Sequence, residues 1–585
     1  MKKNWIIKET NDDLVEKLHQ ALHISPVLCK LLVSRGVTDY QEARSFFRPS
    51  LRELHDPFLM KDMDKAISRI EKAMVNDEKI MVYGDYDVDG TTSVALVYSF
   101  FREIYAKIYH YIPDRYEEGY GISYQGIDYA EENGISLIIA LDCGIKAIEK
   151  IEYATEKGVD FIICDHHRPG DEIPAAVAVL DPKRSDCEYP FKELSGCSIG
   201  FKLIQAFGQS NDIPFELIAN FLDLVAVSIA ADIVPIVDEN RILTFYGLKQ
   251  LNLSPRFGFK ALIETSGLEN KEIGISDIVF ILGPRINAAG RIGNASDAVE
   301  LLVSKNIDEA REKALLLETL NENRRNIDKD ITEQALNMID NNPTLHNAKT
   351  TVLHHPEWHK GVIGIVASRI IENYYRPTII LTTDKGKVSG SARSVKGFDV
   401  YNAIKSCEDL LLQFGGHKYA AGLTMETHNI EAFMARFEAI VSDSILAEHL
   451  VPEVQIDAEV ELEELTPTFY KILSQFAPFG PGNMEPIFVT RNVHDVGSSS
   501  LVGTPKAHLK YKIQKGNSPT YEGIGFNMAD KFDIVKNGSF DICYKLTLNE
   551  FRGTKSLQLM VKDIVSSELH AAKTTVKNAS STSGG

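Results

Sequence analysis

The stretch "YGDYDVDGTTS", residues 83–93, places three carboxylates at alternate positions, Asp85, Asp87 and Asp89. Carboxylates this close repel one another, and a bound cation stabilises them. "DYDVDG" matches the first half of an EF-hand calcium loop, but position twelve, which requires a bidentate Glu, is Leu96. An apolar run of the kind that forms a buried strand precedes the motif, and helical spacing follows it, beginning at "TTSV". The motif therefore indicates an acidic turn between a strand and a helix, not a calcium loop.

Further candidate ligands follow other apolar runs. Asp142 ends "LIIALD", Asp165 with His166 and His167 ends "FIICDHH", and Asp232 follows "VAVSIAA". Taken singly, each Asp is more often a turn former or helix cap, a His pair on a loop is more often solvated, and Asp232 reads equally well as a helix-ending acid. The carboxyl ends of parallel strands share one edge of a sheet, where ligands bind. We therefore expect these side chains to converge there.

The candidates outnumber the ligands that one ion needs. They are Asp85, Asp87, Asp89, Asp142, His166, His167 and Asp232. Such a set suits two divalent cations about 3.5–4 Å apart that share a bridging carboxylate. Oxygen-rich ligands with one or two imidazoles favour Mn²⁺ or Mg²⁺ over Zn²⁺. The sequence thus predicts a two-cation centre.

Composition limits the class of protein. The 585 residues are 44% hydrophobic and 25% charged, as in water-soluble multidomain proteins. No run of about 18 apolar residues indicates a membrane span, and the N-terminal apolar stretch is too short for a signal peptide. The seven cysteines form no CxxC pair, so neither a structural zinc site nor a disulfide framework is expected, and a cytoplasmic location fits best.

Charge is unevenly distributed along the chain. The formal net charge is −19, yet residues 501–563 hold ten Lys and Arg against six Asp and Glu. Aromatic residues of this segment include Tyr511, Tyr521, Phe526, Phe532, Tyr544 and Phe551. Barrels that bind single strands pair a basic groove with aromatic faces. We expect at least half of these rings to fill the core instead.

Alternating strands and helices predict an α/β fold with a doubly wound parallel sheet, long connecting helices, a second smaller α/β domain and an OB-like β-barrel. The expected segments are a helical lead-in (1–55), the sheet domain (56–296), connecting helices (297–342), the smaller domain (343–450, with a helix at 399–414), the barrel (451–566) and a disordered tail (567–585).

The motifs "YGDYDVDGTTS", "ALDCG", "CDHH" and "AADIVP", in this order and spacing, resemble the DHH phosphoesterase superfamily. "WHKGVIGIVASR", "SGSARS" and "GGHKYAAG" resemble its associated C-terminal domain. With a barrel beyond them, the pattern is similar to the single-strand-specific exonucleases of that superfamily over residues from about 50 to 565. Any one motif would be unspecific, whereas their combination is highly specific.

The resemblance implies roles for the acidic and histidine residues. Asp87 would bind the first metal ion, Asp89 the second, and Asp142 both. His166 and Asp232 would complete the shell of the second ion. His167 would face the scissile phosphate, and Asp85 would support the site or orient water. Tyr83 stands where related phosphatases carry a His metal ligand.

The resemblance also implies substrate contacts from the smaller domain and from the "GPRINAAGRIG" segment, which reads as a loop. These are Arg285, Arg291, His359, Arg393, Gly415, Gly416 and His417. Arg side chains and backbone N–H groups match phosphate geometry. Two plainer interpretations remain open: the Gly-Gly pair is a tight turn, and the two arginines near residue 290 pair with surface acids.

The expected function is a metal-dependent 5′-to-3′ exonuclease on single-stranded DNA that releases 5′-mononucleotides in DNA repair and recombination. A short-oligonucleotide nuclease, phosphatase or pyrophosphatase of the same superfamily is a second interpretation, although such chains are shorter and lack the barrel. A non-catalytic single-strand binder is a third. We expect a monomer with single-stranded DNA as substrate, a helicase and a single-strand-binding protein as candidate partners, and no membrane.

Overall fold

A strand and three short helices open the chain. The computed structural model describes residues 3–551 and 553–568. The first elements are β1 (Asn4–Ile7), α1 (Asp12–Leu22), α2 (Pro26–Val33) and α3 (Tyr40–Phe47). The side chains of Asn11, Ser25 and Asp39 cap the three helices, each by accepting a hydrogen bond from a backbone N–H of the first turn.

The acidic motifs lie on a five-stranded sheet in which every neighbouring pair is parallel. Its elements are α4 (Met63–Val75), β2 (Lys79–Gly84), α5 (Val88–Ile104), β3 (Ile108–Tyr111), α6 (Tyr124–Glu132), β4 (Ile135–Leu141), α7 (Ile148–Glu156), β5 (Asp160–Cys164) and β6 (Ala178–Leu180). The strand order is β3-β2-β4-β5-β6. Alternate residues of β2 enter different cores, Ile80 and Val82 on one face and Met81 and Tyr83 on the other. The sheet is therefore covered on both faces, as predicted.

Helix α5 starts earlier than the sequence indicated. It begins at Val88, and the side chain of Asp87 accepts the backbone N–H of Gly90 at 3.0 Å. Thr91 and Thr92, expected to cap the helix, lie within it and donate their hydroxyls to the carbonyls of Asp87 and Val88. The acid is the better cap because a carboxylate also interacts favourably with the positive end of the helix dipole.

Helices follow the sheet as far as residue 340. They are α8 (Gly196–Ser210), α9 (Phe215–Ala219), α10 (Leu222–Ala231), α11 (Asp238–Leu253), α12 (Phe257–Thr265), α13 (Ile275–Asp277), a π-helical segment (Ile278–Leu282), α14 (Gly283–Ile292), α15 (Ser296–Leu302) and α16 (Ile307–Asp340). The "GPRINAAGRIG" segment, predicted as a loop, is helix α14. Its proline is tolerated because it stands in the first turn, where the backbone N–H lacks an intrahelical acceptor.

The smaller α/β domain follows α16. Its elements are α17 (Pro343–Asn347), β7 (Thr351–His354), α18 (Ile363–Asn373), β8 (Thr378–Asp384), β9 (Lys387–Arg393), α19 (Val400–Lys405), β10 (Gln413–His417), β11 (Ala420–Glu426) and α20 (Ile430–Ser444). The strand order is β10-β11-β9-β8-β7. The helix predicted for 399–414 ends at Lys405, and Gln413 already belongs to β10 because "QFGGH" pairs with β11.

The described elements between residues 453 and 566 form the barrel. Its elements are β12 (Glu453–Ile456), β13 (Ala458–Glu459), α21 (Pro467–Ser474), β14 (Phe488–Asp495), β15 (Ser500–Val502), β16 (His508–Gln514), β17 (Tyr521–Gly525), α22 (Phe532–Lys536), β18 (Phe540–Phe551) and β19 (Thr554–Ser566). The order β14-β18-β19-β17-β16 closes on itself through a β14–β16 pairing. Five strands and this closure are those of an OB-like barrel.

The N-terminal elements fold with the barrel. The chain divides into two compact units, one formed by Met1–Pro49 with Val451–Gly585 and the other by Ser50–Leu450. Strand β1 pairs with β12, and Leu18, Leu28 and Leu31 share a core with the barrel. The lead-in, predicted from sequence as a separate segment, thus completes the core of a unit formed by both ends of the chain.

Most of the barrel aromatics lie inside, as expected. Tyr511 and Tyr544 are buried, Tyr521 and Phe532 pack against the same core, and Phe526 is 53% exposed. The side chain of Phe551 and most of the predicted tail, residues 569–585, lie outside the described part of the chain. In that described part, we find no helix that combines the length and the apolar character needed to cross a membrane.

Candidate active site

The acidic turn between β2 and α5 brings three carboxylates to the carboxyl edge of the sheet. Asp85 follows the strand, Asp87 caps the helix, and Asp89 stands in the first turn of the helix. Gly90 permits the turn, because a Cβ there would lie 2.2 Å from the carbonyl oxygen of Asp85. A larger residue at position 90 would therefore displace Asp85.

Asp89 is held by two other helices. Its carboxylate accepts the backbone N–H groups of Gly196 at 2.7 Å and Cys197 at 2.8 Å, in the first turn of α8. The hydroxyl of Ser228 on α10 donates to the same carboxylate at 2.7 Å. The N-terminus of a helix favours a negative group, so these contacts fix the orientation of Asp89.

Asp142 stands at the end of β4 in the left-handed conformation, with φ +59°. Gly196 makes room for it, because a Cβ at that position would lie 2.6 Å from the Cβ of Asp142. A backbone of this kind costs about 1 kcal/mol or more for a non-glycine residue and is common at functional sites. It orients the Asp142 carboxylate toward the acidic turn and His166.

His166 joins the acids of three elements. Its Nε2 lies 3.1 Å from Oδ1 of Asp142, 3.6 Å from Oδ2 of Asp232 and 3.7 Å from Oδ2 of Asp89. Asp232 directly follows α10, so it both ends that helix and reaches the cluster. The convergence expected from the strand ends is present in the structure.

The donor set fits divalent cations. Three overlapping groups have ligand atoms within 4.8 Å of one another: Asp85, Asp87 and Asp142; Asp89, His166 and Asp232; and Asp142, His166 and His167. Oδ1 of Asp85, Oδ1 of Asp142 and both ring nitrogens of His166 are buried without a hydrogen-bond partner. Buried polar atoms of this kind are costly unless a ligand satisfies them.

The pKa values of the carboxylates also indicate a site for divalent cations. Burial, followed by repulsion from Asp87, raises the pKa of Asp85 well above its usual range. Burial and the neighbouring acids, Asp89 first, do the same for Asp142. Burial and repulsion from Asp89 and Asp87 raise the pKa of Asp232 to about 8. A cation bound among these groups would counter both causes and return the carboxylates to their charged form.

The ring of His167 contacts Asp165 and lies at the border of the acidic cluster. Its Nδ1 lies 2.8 Å from Oδ1 of Asp165 and 3.9 Å from Oδ1 of Asp142. Burial lowers the pKa of His167, but the hydrogen bond and charge of Asp165 outweigh it and raise the value to about 9. The same contact, against the effect of burial, lowers the pKa of Asp165 to about 2. His167 is therefore a cationic group beside the acids.

Two of the predicted substrate arginines lie close together. Arg291 donates from Nη1 to the carbonyl of Gly361 at 3.0 Å, and Arg393 donates to the Oγ of Ser391 at 3.1 Å. Burial, then the charges of Arg115 and other arginines including Arg393, lower the pKa of Arg291 to about 10. No carboxylate of the described residues forms an ion pair with Arg115, Arg291 or Arg393. Arg115 and Arg393 thus both act electrostatically on Arg291, and none of the three is neutralised by an ion pair with a described carboxylate.

The remaining predicted contacts differ in their surroundings. Arg285 is buried and pairs with Glu318 on α16, in keeping with the plainer interpretation of an arginine paired with an acid. His359 accepts the backbone N–H of Gly361 at its Nδ1, 3.1 Å away. Burial, followed by the charges of Lys146 and His167, lowers the pKa of His417.

Gly415 and Gly416 belong to the edge strand β10, which pairs only with β11 among the described strands. Gly416 has φ +140°, and a Cβ there would lie 2.4 Å from the carbonyl of Ala420. Only glycine fits this position. The Gly-Gly pair is thus part of a narrow hairpin whose backbone is exposed.

Sequence reasoning missed several residues that the structure places at the site. Asp165 was noted only as a strand end, and Ser228 lies on an apolar helix with no distinguishing pattern. Arg115 and Tyr120 come from "IPDRYEEGYG", directly after β3. The argument about strand ends that identified the acids could have pointed to this loop, although not to these two side chains in particular.

Tyr83 does not take the place of a metal ligand. Its hydroxyl donates to the carbonyl of Gly121 at 2.8 Å and accepts the backbone N–H of Ser123 at 3.2 Å. Burial raises its pKa well above the usual range, so the phenol stays neutral. Tyr83 therefore anchors the loop after β3.

Domain-family models match three parts of the chain. They are the DHH family N-terminal domain at residues 79–229, the DHHA1 domain at 347–443 and the RecJ OB domain at 456–563. The fold and the clustered acids and histidines agree with the first of these. The class of the protein is therefore a metal-dependent DHH phosphoesterase.

Comparison with similar proteins identifies the family within this superfamily. The single-stranded-DNA-specific exonuclease RecJ of Bacillus subtilis is 37% identical over 97% of this chain and 71% of that protein. RecJ of Escherichia coli K12 is 35% identical over 92% of this chain and 96% of that protein. The crystal structure of Thermus thermophilus RecJ in complex with Mn²⁺ superposes with TM-score 0.82 at 27% identity, covering 96% of this chain and 79% of that one. The chain belongs to the RecJ family of single-stranded-DNA-specific exonucleases, and the resemblance read from its motifs is confirmed.

Proposed function

We propose that this protein hydrolyses single-stranded DNA from the 5′ end and releases 5′-mononucleotides, using two divalent cations, Mn²⁺ or Mg²⁺. The observation that carries the proposal is the buried Nε2 of His166, 3.1–3.7 Å from carboxylates of Asp142, Asp232 and Asp89. One relative, RecJ of Thermus thermophilus, has been crystallised with Mn²⁺ and with Mg²⁺. Family membership supports the activity, and the donor set supports the metals.

The protein would hold the two cations with different residues. We assign Asp87 to the first, Asp89, His166 and Asp232 to the second, and Asp142 to both, with Asp85 beside the first. When bound, such ions lower the pKa of a water molecule and stabilise charge on the phosphoryl oxygens. The protein's own contribution is to fix the carboxylates: α8 and Ser228 hold Asp89, and Gly196 makes room for Asp142.

His167 would bind the scissile phosphate. The carboxylate of Asp165 accepts a hydrogen bond from Nδ1–H of His167, so Nε2 is the ring nitrogen left to face the reacting group. As a cation beside the acids, His167 supplies a donor to a phosphoryl oxygen, where negative charge accumulates in the transition state. No covalent intermediate is required.

The arginine cluster supports attack at a 5′ end. Arg115, Arg291 and Arg393 lie beside the site, and Asp87 is among the charges that act on Arg291. A terminal phosphate carries more negative charge than an internal phosphodiester, and guanidinium groups bind it with several hydrogen bonds. We propose that these three arginines hold the terminal phosphate one nucleotide from the cations, which sets both the polarity and the product. His359, Gly415, Gly416 and His417 would contact the strand nearby.

The barrel would select long single strands. Phe526 is 53% exposed, and its ring meets that of His508 edge-on at 5.2 Å. Exposed aromatic rings on a basic OB barrel stack on bases without regard to sequence. The barrel also distinguishes this chain from shorter members of the superfamily, which argues against a phosphatase or a short-oligonucleotide nuclease.

We propose that the protein works in the cytoplasm. All seven cysteines are buried thiols, as expected in a reducing cytoplasm. A monomer working with a helicase and a single-strand-binding protein is the arrangement that we propose for DNA repair and recombination.

Digestion of end-labelled DNA tests the activity. Single-stranded and duplex oligonucleotides of one sequence, labelled at either end, are incubated with the protein and Mn²⁺ or Mg²⁺, and the products are sized. We expect mononucleotides from the 5′ end of single strands and little product from blunt duplexes. Release from the 3′ end, or internal cleavage, would contradict the proposed polarity, and no cleavage with either metal would contradict the activity.

A further inference from the structure

The loop between β3 and α6 presents one tyrosine to the active site. Tyr120 stands between Gly119, with φ +89°, and Gly121, with φ +74°. Both glycines occupy the left-handed region, so the chain turns sharply on each side of Tyr120. Tyr83 anchors this turn through the carbonyl of Gly121 and the N–H of Ser123. The side chain of Tyr120 is nevertheless 55% exposed, as expected of a residue presented to a ligand rather than to a core.

Tyr120 contacts Nε2 of His167, the ring nitrogen that Asp165 does not bind. Its hydroxyl lies 3.2 Å from Nε2 of His167, and the two rings pack edge-on with centroids 6.1 Å apart. The other ring nitrogen, Nδ1, is taken by Asp165 at 2.8 Å. The three side chains form a row from Asp165 through His167 to Tyr120.

The spacing of the two outer atoms suits a shared ligand. Hydrogen bonds from N–H or O–H donors to oxygen are usually about 2.7–3.0 Å long. The Tyr120 hydroxyl oxygen and Nε2 of His167, which are 3.2 Å apart, are close enough for both groups to contact a single oxygen atom at ordinary distances. A doubly contacted oxygen would replace the Tyr120–His167 hydrogen bond by two bonds to the ligand.

We propose that the hydroxyl of Tyr120 and Nε2 of His167 together bind one non-bridging oxygen of the scissile phosphate. This inference rests on the proposed nuclease function. It makes Tyr120 a catalytic residue, since its hydroxyl touches the reacting group. Tyr83 becomes a positioning residue, since it acts through the loop. Donors already in place stabilise charge that develops on the phosphoryl oxygens without a cost of reorganisation during the reaction.

The substitution Tyr120→Phe removes the hydroxyl and keeps the ring. We expect kcat on a 5′-phosphorylated single strand to fall about 100-fold, the usual effect of losing one such donor. KM and the affinity for Mn²⁺ should stay within about twofold, because the hydroxyl is not a metal ligand. Tyr109→Phe on β3, whose side chain is 43% exposed, is the matched control and should behave as wild type.

A double-mutant cycle with His167→Ala tests the shared oxygen. If both donors bind one atom, Tyr120→Phe should add little to the loss caused by His167→Ala. Full multiplication of the two losses would overturn the shared contact. Wild-type kcat in Tyr120→Phe would overturn the catalytic role and leave the nuclease function standing. An inactive wild type would instead contradict the proposed function, and this inference with it.

Discussion

The Nε2 of His166 lies 3.1 Å from Oδ1 of Asp142, and both atoms are buried with no hydrogen-bond partner. Unsatisfied buried polar atoms typically cost about 1–3 kcal/mol each. The fold retains them where helices α8 and α10 and the sheet edge converge. These unpaired atoms lower the stability of the metal-free fold, and a bound cation would satisfy them.

Asp142→Asn should abolish Mn²⁺-dependent hydrolysis while the fold survives. The reason is that the amide removes the carboxylate shared by both proposed cations, a group whose charged form burial and the other acids disfavour when no metal is bound. Activity assays and circular dichroism check this, and the melting temperature of the metal-free variant should not fall below that of wild type. Appreciable turnover by the folded variant would refute the bridging role.

His166 and His167 should fail differently when each is changed to Ala. His166 lies among the acids, so its loss should weaken Mn²⁺ binding by about tenfold or more. His167 is held by Asp165, so its loss should lower kcat and leave Mn²⁺ affinity near that of wild type. Calorimetric titration of Mn²⁺ decides the matter; equal affinities in the two variants would contradict the division of roles.

Metal binding should depend on pH. The raised pKa of Asp232, about 8, means that its carboxyl carries a proton at neutral pH when no metal is bound. Mn²⁺ must displace that proton, so its affinity should increase from pH 6 to 8 and level off above. Titrations in two buffers of different ionisation enthalpy measure the protons released. In Asp232→Asn the increase should be smaller; an affinity independent of pH in wild type would contradict the account.

Arg291→Ala should remove the preference for a phosphorylated 5′ end. Loss of a charge-assisted contact should slow digestion of a 5′-phosphorylated strand about tenfold or more, with a smaller effect on a 5′-hydroxyl strand. Arg325→Ala, an exposed arginine on α16, is the control for loss of charge alone. An equal reduction for both strands would show that Arg291 does not read the end.

Phe526→Ala should weaken the binding of long single strands. Stacking on an aromatic ring contributes about 1–3 kcal/mol per base, so the Kd should rise roughly 5- to 150-fold. Tyr40→Ala, on α3 of the same unit and 52% exposed, is a matched control. Fluorescence anisotropy at several salt concentrations measures both variants. Unchanged binding by the Phe526 variant would exclude this ring from the DNA surface.

The clustering of the acids could be predicted from the sequence, because strand ends are readable and the carboxyl ends of parallel strands share one edge of the sheet. It failed at α14, where Gly and Pro suggested a loop. There the small residues serve packing instead: a Cβ at Gly290 would lie 2.4 Å from the carbonyl of Tyr86. Local patterns do not reveal such close contacts between distant segments.

The pairing of β1 with β12 was equally hidden. It joins residues about 450 positions apart, such as Trp5 and Val454, and no periodicity reports a partner at that separation. Tyr120 was missed for a different reason. The acids of its loop, Asp114, Glu117 and Glu118, do not stand at alternate positions, and only the contact with His167 distinguishes Tyr120 from an ordinary exposed tyrosine.

The location of bound Mn²⁺ tests the central claim most directly. Crystals of the full chain grown with Mn²⁺ would be measured at the manganese absorption edge. The account predicts two anomalous peaks about 3.5–4 Å apart, with Asp142 between them, Asp87 at one, and Asp89, His166 and Asp232 at the other. One peak alone at saturating metal, or peaks away from these side chains, would contradict it.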